Sequence, residues 1–110
     1  MVSRDEIPHG LLDLLILRTL AAAKQMHGFE IADAIQRLSK DVLRVEEGSL
    51  YPALQRLMVN ESLDSQWGRT EENHRARYYR LTPSGRRHLE RELARYERVT
   101  VAIGRVLRPA

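Results

Sequence analysis

The sequence predicts a mainly α fold with one small β-hairpin, an α+β class, on three observations. Four segments repeat apolar residues at intervals of three and four, as amphipathic helices do. Between the third and fourth, Leu63, Ser65 and Trp67 alternate with polar residues, and Arg77, Tyr79 and Leu81 share one face beyond a polar loop. The fourth segment opens on Thr82-Pro83, a capping threonine followed by the residue whose missing N–H costs nothing at a first helical position.

The first helix is expected over Gly10–Ala23. Leu11, Leu12, Leu14, Leu15, Ile16, Leu17 and Leu20 cover more than one stripe of it, so it is buried on several sides. In so small a domain the second side points to another subunit, which assigns Leu12, Leu15 and Ile16 to a dimer contact. Met26-His27-Gly28 breaks the pattern, and Phe29, Ile31, Ala32, Ile35 and Leu38 give a second amphipathic helix over Gly28–Ser39. Lys40–Glu47 reads as a connector with Val42, Leu43 and Val45 turned inward. The third helix is expected over Ser49–Asn60. Ser49 would be its N-cap and Pro52 would fall in the first turn, where no intrahelical bond is lost. Leu50, Leu54, Leu57 and Met58 form its buried stripe. Ala53, Gln55 and Arg56 lie away from that stripe, and Tyr51 and Pro52 flank it. Gly68–Arg75 reads as the hairpin loop. The last helix is expected over Pro83–Leu107, some 37 Å at about 1.5 Å per residue. Its stripe of Leu89, Leu93, Tyr96, Val99, Ile103 and Val106 runs on after a small domain has exhausted its partners, which predicts a helix from a second copy.

The order helix, helix, helix, strand, loop, strand is that of a winged helix-turn-helix. Residues 1–82 are expected to form this unit and 83–110 a dimerisation helix joined to it in one compact body. The arrangement suits double-stranded DNA. A major groove admits one α-helix, and the hairpin then lies against the neighbouring backbone.

Composition narrows the function classes. A chain of 110 residues with 43% hydrophobic content reads as one globular domain. With no cysteine it holds neither a disulfide nor a thiolate metal site. Leu11–Ala23 is interrupted by Asp13, Arg18 and Thr19 and is too short to span a bilayer. Asp5, Glu6 and Pro8 do not suit a signal peptide, so a cytoplasmic protein is expected. Net charge is only +3, yet 16 of 18 basic residues are arginine, with Lys24 and Lys40 the exceptions. Arginine is favoured where phosphates or base edges are gripped by a fixed fork of donors. His9, His27, His74 and His88 do not fall at metal-ligand spacing, Gly48-Ser49 lacks the flanks of a nucleophile elbow, and no glycine-rich phosphate loop is present. An enzyme, a metal site and a cofactor are therefore not expected.

The chemistry-bearing residues fall into three groups. On the third helix, Tyr51 either reaches a phosphate through its hydroxyl or packs on the helix flank against Met58. Ser49 caps the helix, with or without a phosphate contact, and Pro52 flanks the same surface. Gln55 is placed to read adenine. Arg56 either binds phosphate or guanine or pairs with an acidic neighbour. In the wing, Asn73, His74, Arg75 and Arg77 form a donor-rich set, beside which Glu71 and Glu72 either face away or pair with the arginines. His27 and Gly28 open the second helix, where free amides favour a phosphate, unless His27 serves as a cap.

In order and spacing the chain resembles the PadR-like transcriptional regulators. The matching stretches are Leu12-Asp13-Leu14-Leu15-Ile16-Leu17, Met26-His27-Gly28-Phe29-Glu30-Ile31, Glu46-Glu47-Gly48-Ser49-Leu50-Tyr51-Pro52-Ala53-Leu54, Arg56-Leu57, Trp67-Gly68 and Arg75-Ala76-Arg77-Tyr78-Tyr79-Arg80-Leu81-Thr82 with Gly85. They cover about residues 10–90 and resemble the short subgroup, in which a single C-terminal helix dimerises. The resemblance implies a homodimeric regulator, usually a repressor, that binds a near-palindromic operator and responds to a small hydrophobic effector. Two positions depart from the pattern. Glu61 stands where the family usually has a glycine that permits a left-handed cap, at a cost of about 1 kcal/mol, so the helix is expected to end on Asn60 instead. The last helix carries no tryptophan, whereas some relatives sandwich planar drugs between tryptophans there. The rival expectation is a winged-helix module for protein interaction or small-molecule binding with no primary role on DNA.

Overall fold

Four leucines and isoleucines of the first helix set the centre of the molecule. The computed structural model describes residues 5–8 and 10–108, with residues 5 and 6 described as backbone only; His9 lies outside the described residues. The elements are β1 (Asp5–Glu6), α1 (Leu12–Ala21), β2 (Met26–His27), α2 (Gly28–Leu38), β3 (Leu43–Arg44), α3 (Glu47–Val59), β4 (Leu63–Arg69), β5 (Arg75–Leu81) and α4 (Pro83–Leu107). Leu14, Ile16, Leu17 and Leu20 of α1 are buried against Ile31 and Ile35 of α2 and Leu50, Leu54 and Leu57 of α3. Leu63, Tyr79 and Leu89 close this core from the hairpin and α4. Each such fully buried aliphatic side chain stabilises the fold by about 1.5–3 kcal/mol.

The hairpin pairs β4 with β5 in antiparallel register from Leu63↔Leu81 to Arg69↔Arg75. A two-residue strand, β2, adds to the outer side of β5 through Met26↔Tyr79 and His27↔Tyr78, giving the order β2-β5-β4. This pairing ties the start of α2 to the wing. A parallel pair, β1 with β3, ties the segment before α1 to the connector before α3. The short strands β1, β2 and β3 were not foreseen, because two residues carry no readable periodicity.

The winged helix-turn-helix plus a long last helix is the fold the sequence predicts, with corrections in detail. α1 is shorter than expected, starting after Gly10, whose φ of +88° stops helix propagation backwards. The connector's Val42 is 42% exposed, while Leu43 and Val45 are partly buried against the core. Phe29 and Leu38, read as buried, are 75% and 69% exposed. Phe29 projects from the side of α2 away from the buried Ile31 and Ile35, and Leu38 is the last residue of the helix. Ala53, read as facing outward, is 0% exposed, since it packs beside Leu54 and Leu57. The strands extend through Arg69 and from Arg75, so the wing's turn is five residues rather than eight.

Two residues assigned to the subunit boundary belong to the subunit's own core. Ile16 is 0% and Leu89 9% exposed. Periodicity marks a face as apolar without saying which molecule covers it. α4 begins where expected, with Thr82 Oγ1 accepting from the Gly85 N–H at 2.9 Å. Its first turns pack against α1. Beyond Leu89 its apolar residues are open: Leu93, Tyr96, Val99, Ile103 and Val106 are 37–78% exposed.

Candidate nucleic-acid interface

The start of α3 differs from the sequence expectation and sets the geometry of the outer surface. The N-cap is Glu46, not Ser49. The Glu46 carbonyl accepts from the Ser49 and Leu50 amides at 3.0 and 2.9 Å, and no side chain caps the helix. Glu47 in the first turn suits the positive end of the helix dipole. Ser49 is thus the third helical residue and Pro52 the sixth, inside the helix, where it cannot donate to the Gly48 carbonyl. With Leu50, Ala53, Leu54 and Leu57 buried, the 3.6-residue turn sends Gly48, Pro52, Gln55 and Val59 along the outward line. Val59, 74% exposed, was missed because it sits at the end of the periodic pattern.

The expected α3 residues divide between two sides. Ser49, Pro52 and Arg56 border a groove of about 670 Å³ shared with Pro8, Leu12 and Arg44. There Arg56 Nη2 donates to Asp13 Oδ1 at 2.9 Å, the pairing with an acidic neighbour that the sequence left open. Tyr51 faces the other side, toward the wing. Its ring lies over Gly28, whose absent β-carbon would stand 2.8 Å from the Tyr51 hydroxyl. Gln55 is exposed between the two sides.

His27 caps α2. Its Nδ1 accepts from the Glu30 N–H at 3.4 Å, and the His27 N–H donates to Glu30 Oε1 at 3.0 Å. The imidazole also meets the edge of Tyr78 at 5.4 Å between ring centroids. Gly28 is buried beneath Tyr51, and the Glu30 carboxylate beside it disfavours an anion. Of the two roles the sequence offered His27, the cap is the one formed within the chain.

The wing is built from inside its own turn. Asn73 adopts φ +65°, and the Thr70 and Asn73 amides donate to the His74 and Thr70 carbonyls at 2.8 and 2.9 Å. Arg69 donates to the Asn73 carbonyl, and the His74 amide to Thr70 Oγ1, both at 3.1 Å. These bonds spend backbone groups and leave the Asn73 and His74 side chains exposed. Gly68 leaves room for the Tyr78 ring, which any β-carbon there would meet at 3.0 Å, and Tyr78 Oη donates to the Arg69 carbonyl.

On the face of the hairpin that continues the core, Trp67 lies directly across from Arg77. Arg75 stacks on the indole at 4.2 Å and Arg77 stands 5.9 Å from it. Arg77 also donates from Nε to Ser65 Oγ at 2.7 Å. Among the described residues neither arginine has a carboxylate within salt-bridge distance, and Glu71 and Glu72 pair with nothing basic. On the opposite face Arg80 is matched by Asp64 at 2.9 Å. A cleft of about 430 Å³ separates the two free cations and Trp67 from Phe29, Gly28 and Tyr51, with Tyr79 also in its wall. Burial pushes the Tyr79 hydroxyl above its ordinary pKa of 10.0, Arg77 opposing. Phe29 and Trp67 are the residues sequence reasoning passed over here. The available signal was the cross-strand position of Trp67 relative to Arg77.

Among the described residues no helix is long and apolar enough to cross a membrane, and no cluster of His, Asp or Glu could hold a metal ion. The chain is similar to a transcriptional regulator from Clostridium thermocellum, at 27% identity and TM-score 0.82, covering 90% of this chain and 95% of that one. It is similar to a PadR family transcription regulator from Clostridium difficile, at 27% identity and TM-score 0.76, covering 90% and 100%. An uncharacterised protein of Lysinibacillus sphaericus is 33% identical over 86 residues, 78% of each chain. The model of the transcriptional regulator PadR-like family matches residues 16–91, which include the helix-turn-helix, the wing and the first turns of α4. The chain belongs to the PadR-like family of transcriptional regulators, and its fold is the winged helix of that family rather than an enzyme scaffold.

Proposed function

We propose that this regulator is a repressor that binds a near-palindromic operator as a homodimer, inserting α3 into the major groove and laying the wing on the adjacent backbone. The observation that carries the reading is the pair Arg75 and Arg77, free of carboxylates, across a cleft from Tyr51 of α3. Gln55 and Tyr51, with Ser49 and Pro52 beside them, select sequence and register; Arg75 and Arg77 supply phosphate contacts, assisted by Asn73 and His74. Arg56 joins the contact only by leaving Asp13. That exchange costs little, because the Arg56 side of the pair is 60% exposed and the pair is screened by solvent. The open stripe of Leu93, Tyr96, Val99, Ile103 and Val106, with Leu12 and Leu15 of α1, joins two subunits. Their α3 helices then lie one DNA turn apart, about 34 Å, or a small multiple of it. A small hydrophobic effector, the remaining part of the reading, acts by favouring a dimer in which that spacing is lost.

The test is anisotropy titration of the protein against DNA from immediately upstream of its own coding sequence, with a scrambled duplex as competitor. Tight binding to the upstream DNA is expected, falling steeply between 50 and 200 mM salt. Two arginines from each of two subunits alone give a log–log slope of about −3.6. Salt-insensitive binding, or none to any duplex, overturns the reading in favour of an interaction module.

A further inference from the structure

We infer that Trp67 is a positioning residue for DNA binding: its indole aims Arg75 and Arg77 into the cleft beneath the wing, and that cleft seats one sugar-phosphate segment of the bound strand. The inference rests on the DNA-binding reading above and adds to it a site and a residue.

Arginines on the same hairpin are fixed either by a charged partner or by uncharged ones. Arg80 is held by the Asp64 carboxylate, which cancels its charge. Arg75 and Arg77 are held by an aromatic face at 4.2 and 5.9 Å, which orients a guanidinium without neutralising it. The stacked guanidinium keeps its N–H edges free for a phosphate. The second tether on Arg77 is the Ser65 hydroxyl, which is also uncharged. A cation meant to meet a phosphate must be ordered in advance and still carry its charge, and only this face of the wing meets both conditions.

The indole is not there to fill the core. Trp67 is 59% exposed, and the buried part of its hairpin ends at Leu63 on β4 and Tyr79 on β5. Across the cleft stand Phe29, 75% exposed, the half-exposed Tyr51 with its hydroxyl, and His27, the cap of α2. Two cations on one side, a phenol opposite and apolar rings between them suit an anionic phosphate flanked by the apolar faces of deoxyriboses. The cleft opens on the side of α3 that carries Tyr51, so a strand leaving the major groove along α3 passes through it.

The test is a double-mutant cycle on Trp67 and Arg75, read as affinity for the upstream duplex. Wild-type binding is measured first; its absence overturns the DNA reading itself, separately from this inference. Trp67→Ala should weaken binding roughly three- to tenfold, with an unchanged melting temperature because the side chain is largely exposed. Arg75→Ala should weaken binding and reduce the salt slope by about 1. In the Arg75→Ala background, Trp67→Ala should cost less than half of what it costs alone. Trp67→Phe, which keeps a π face, should bind near the wild-type level, and Trp67→Leu, which keeps bulk without one, should match Trp67→Ala. Should the alanine variant fail to fold, the Phe–Leu pair decides. Equal costs of Trp67→Ala in both backgrounds, or equal binding by Phe and Leu, overturns the inference.

Discussion

Gly28 and Tyr51 depend on each other more than either depends on its own helix. Gly28 is buried because the Tyr51 phenol lies on it, and the phenol rests in the cleft because residue 28 has no side chain. A β-carbon at 28 would stand 2.8 Å from the hydroxyl and 3.1 Å from two ring atoms. These are the far end of a half-exposed side chain, so the ring can swing aside. Gly28→Ala should therefore leave stability within about 1 kcal/mol of wild type, helix propensity offsetting the displaced contact. DNA affinity should fall several-fold, because Tyr51 no longer points into the cleft. Thermal unfolding and anisotropy measured on one preparation check this; a loss of stability without a loss of affinity would deny Tyr51 its role. Which residues would share the surface was legible where the chemistry is local. Tyr51, Arg75 and Arg77 were singled out by type and spacing. The pairing of Arg56 with Asp13 was an open alternative, because the two are far apart in sequence and only packing of α1 on α3 brings them together.

Between elements, the junction of α3, β4 and α4 is the most constrained place in the fold. α3 runs to Val59 with Asn60 as its C-cap, and the left-handed cap that the sequence argues against at Glu61 forms all the same. Glu61 takes φ +65°, the conformation a glycine would adopt more readily. The Ser62 amide returns to the Leu57 carbonyl at 2.9 Å and to Asn60 Oδ1 at 3.1 Å, which offsets that strain. From the other side the Thr82 amide and hydroxyl donate to the Ser62 carbonyl, and Ser62 Oγ lies 2.8 Å from His88 Nδ1. The start of α4 is thus moored to the turn that follows α3. Gly85 sits against the Ser62 carbonyl so closely that a β-carbon would fall inside contact distance of a backbone atom. Gly85→Ala should destabilise by about 2–3 kcal/mol, as overpacking of a rigid site does, and lower the melting temperature by on the order of 10 °C. An unchanged melting temperature would mean that this junction yields easily. Element boundaries were legible when one side chain decides them. Thr82 is such a case, since its hydroxyl caps α4 as its type predicts. The start of α3 was not, because Glu46 caps with its backbone alone and leaves no trace in residue type. The ends of α2 failed for another reason. Phe29 lies off the buried line of Gly28, Ile31, Ala34 and Ile35, and Leu38 stands at the last residue, past the neighbours that could bury it.

At the scale of the molecule, the outline itself argues for a second subunit. The radius of gyration is 15.3 Å, against about 13 Å for a compact chain of this length. The longest dimension is 56 Å, and α4, 25 residues long, accounts for the excess. Past Leu89 it has no core to lie on, yet its apolar residues continue to recur at threes and fours. A helix polar all round would need no partner; this one leaves Ile103 51% and Val106 78% exposed. Removing α4 would be a poor test, since Gly85, His88 and Leu89 hold the winged helix together. Ile103→Glu is the better one, because residue 103 lies about four turns beyond Leu89, the last core residue of α4. In sedimentation the wild type should run as a dimer and the variant as a monomer with unchanged helix content. Two facing carboxylates cannot replace a buried aliphatic contact worth about 1.5–3 kcal/mol per side chain. Operator affinity should then collapse toward that of one half-site, because the second subunit no longer binds at the high local concentration the dimer provides. A variant that stays dimeric would place the contact on Leu12 and Leu15 of α1 and leave the far half of α4 for a different partner.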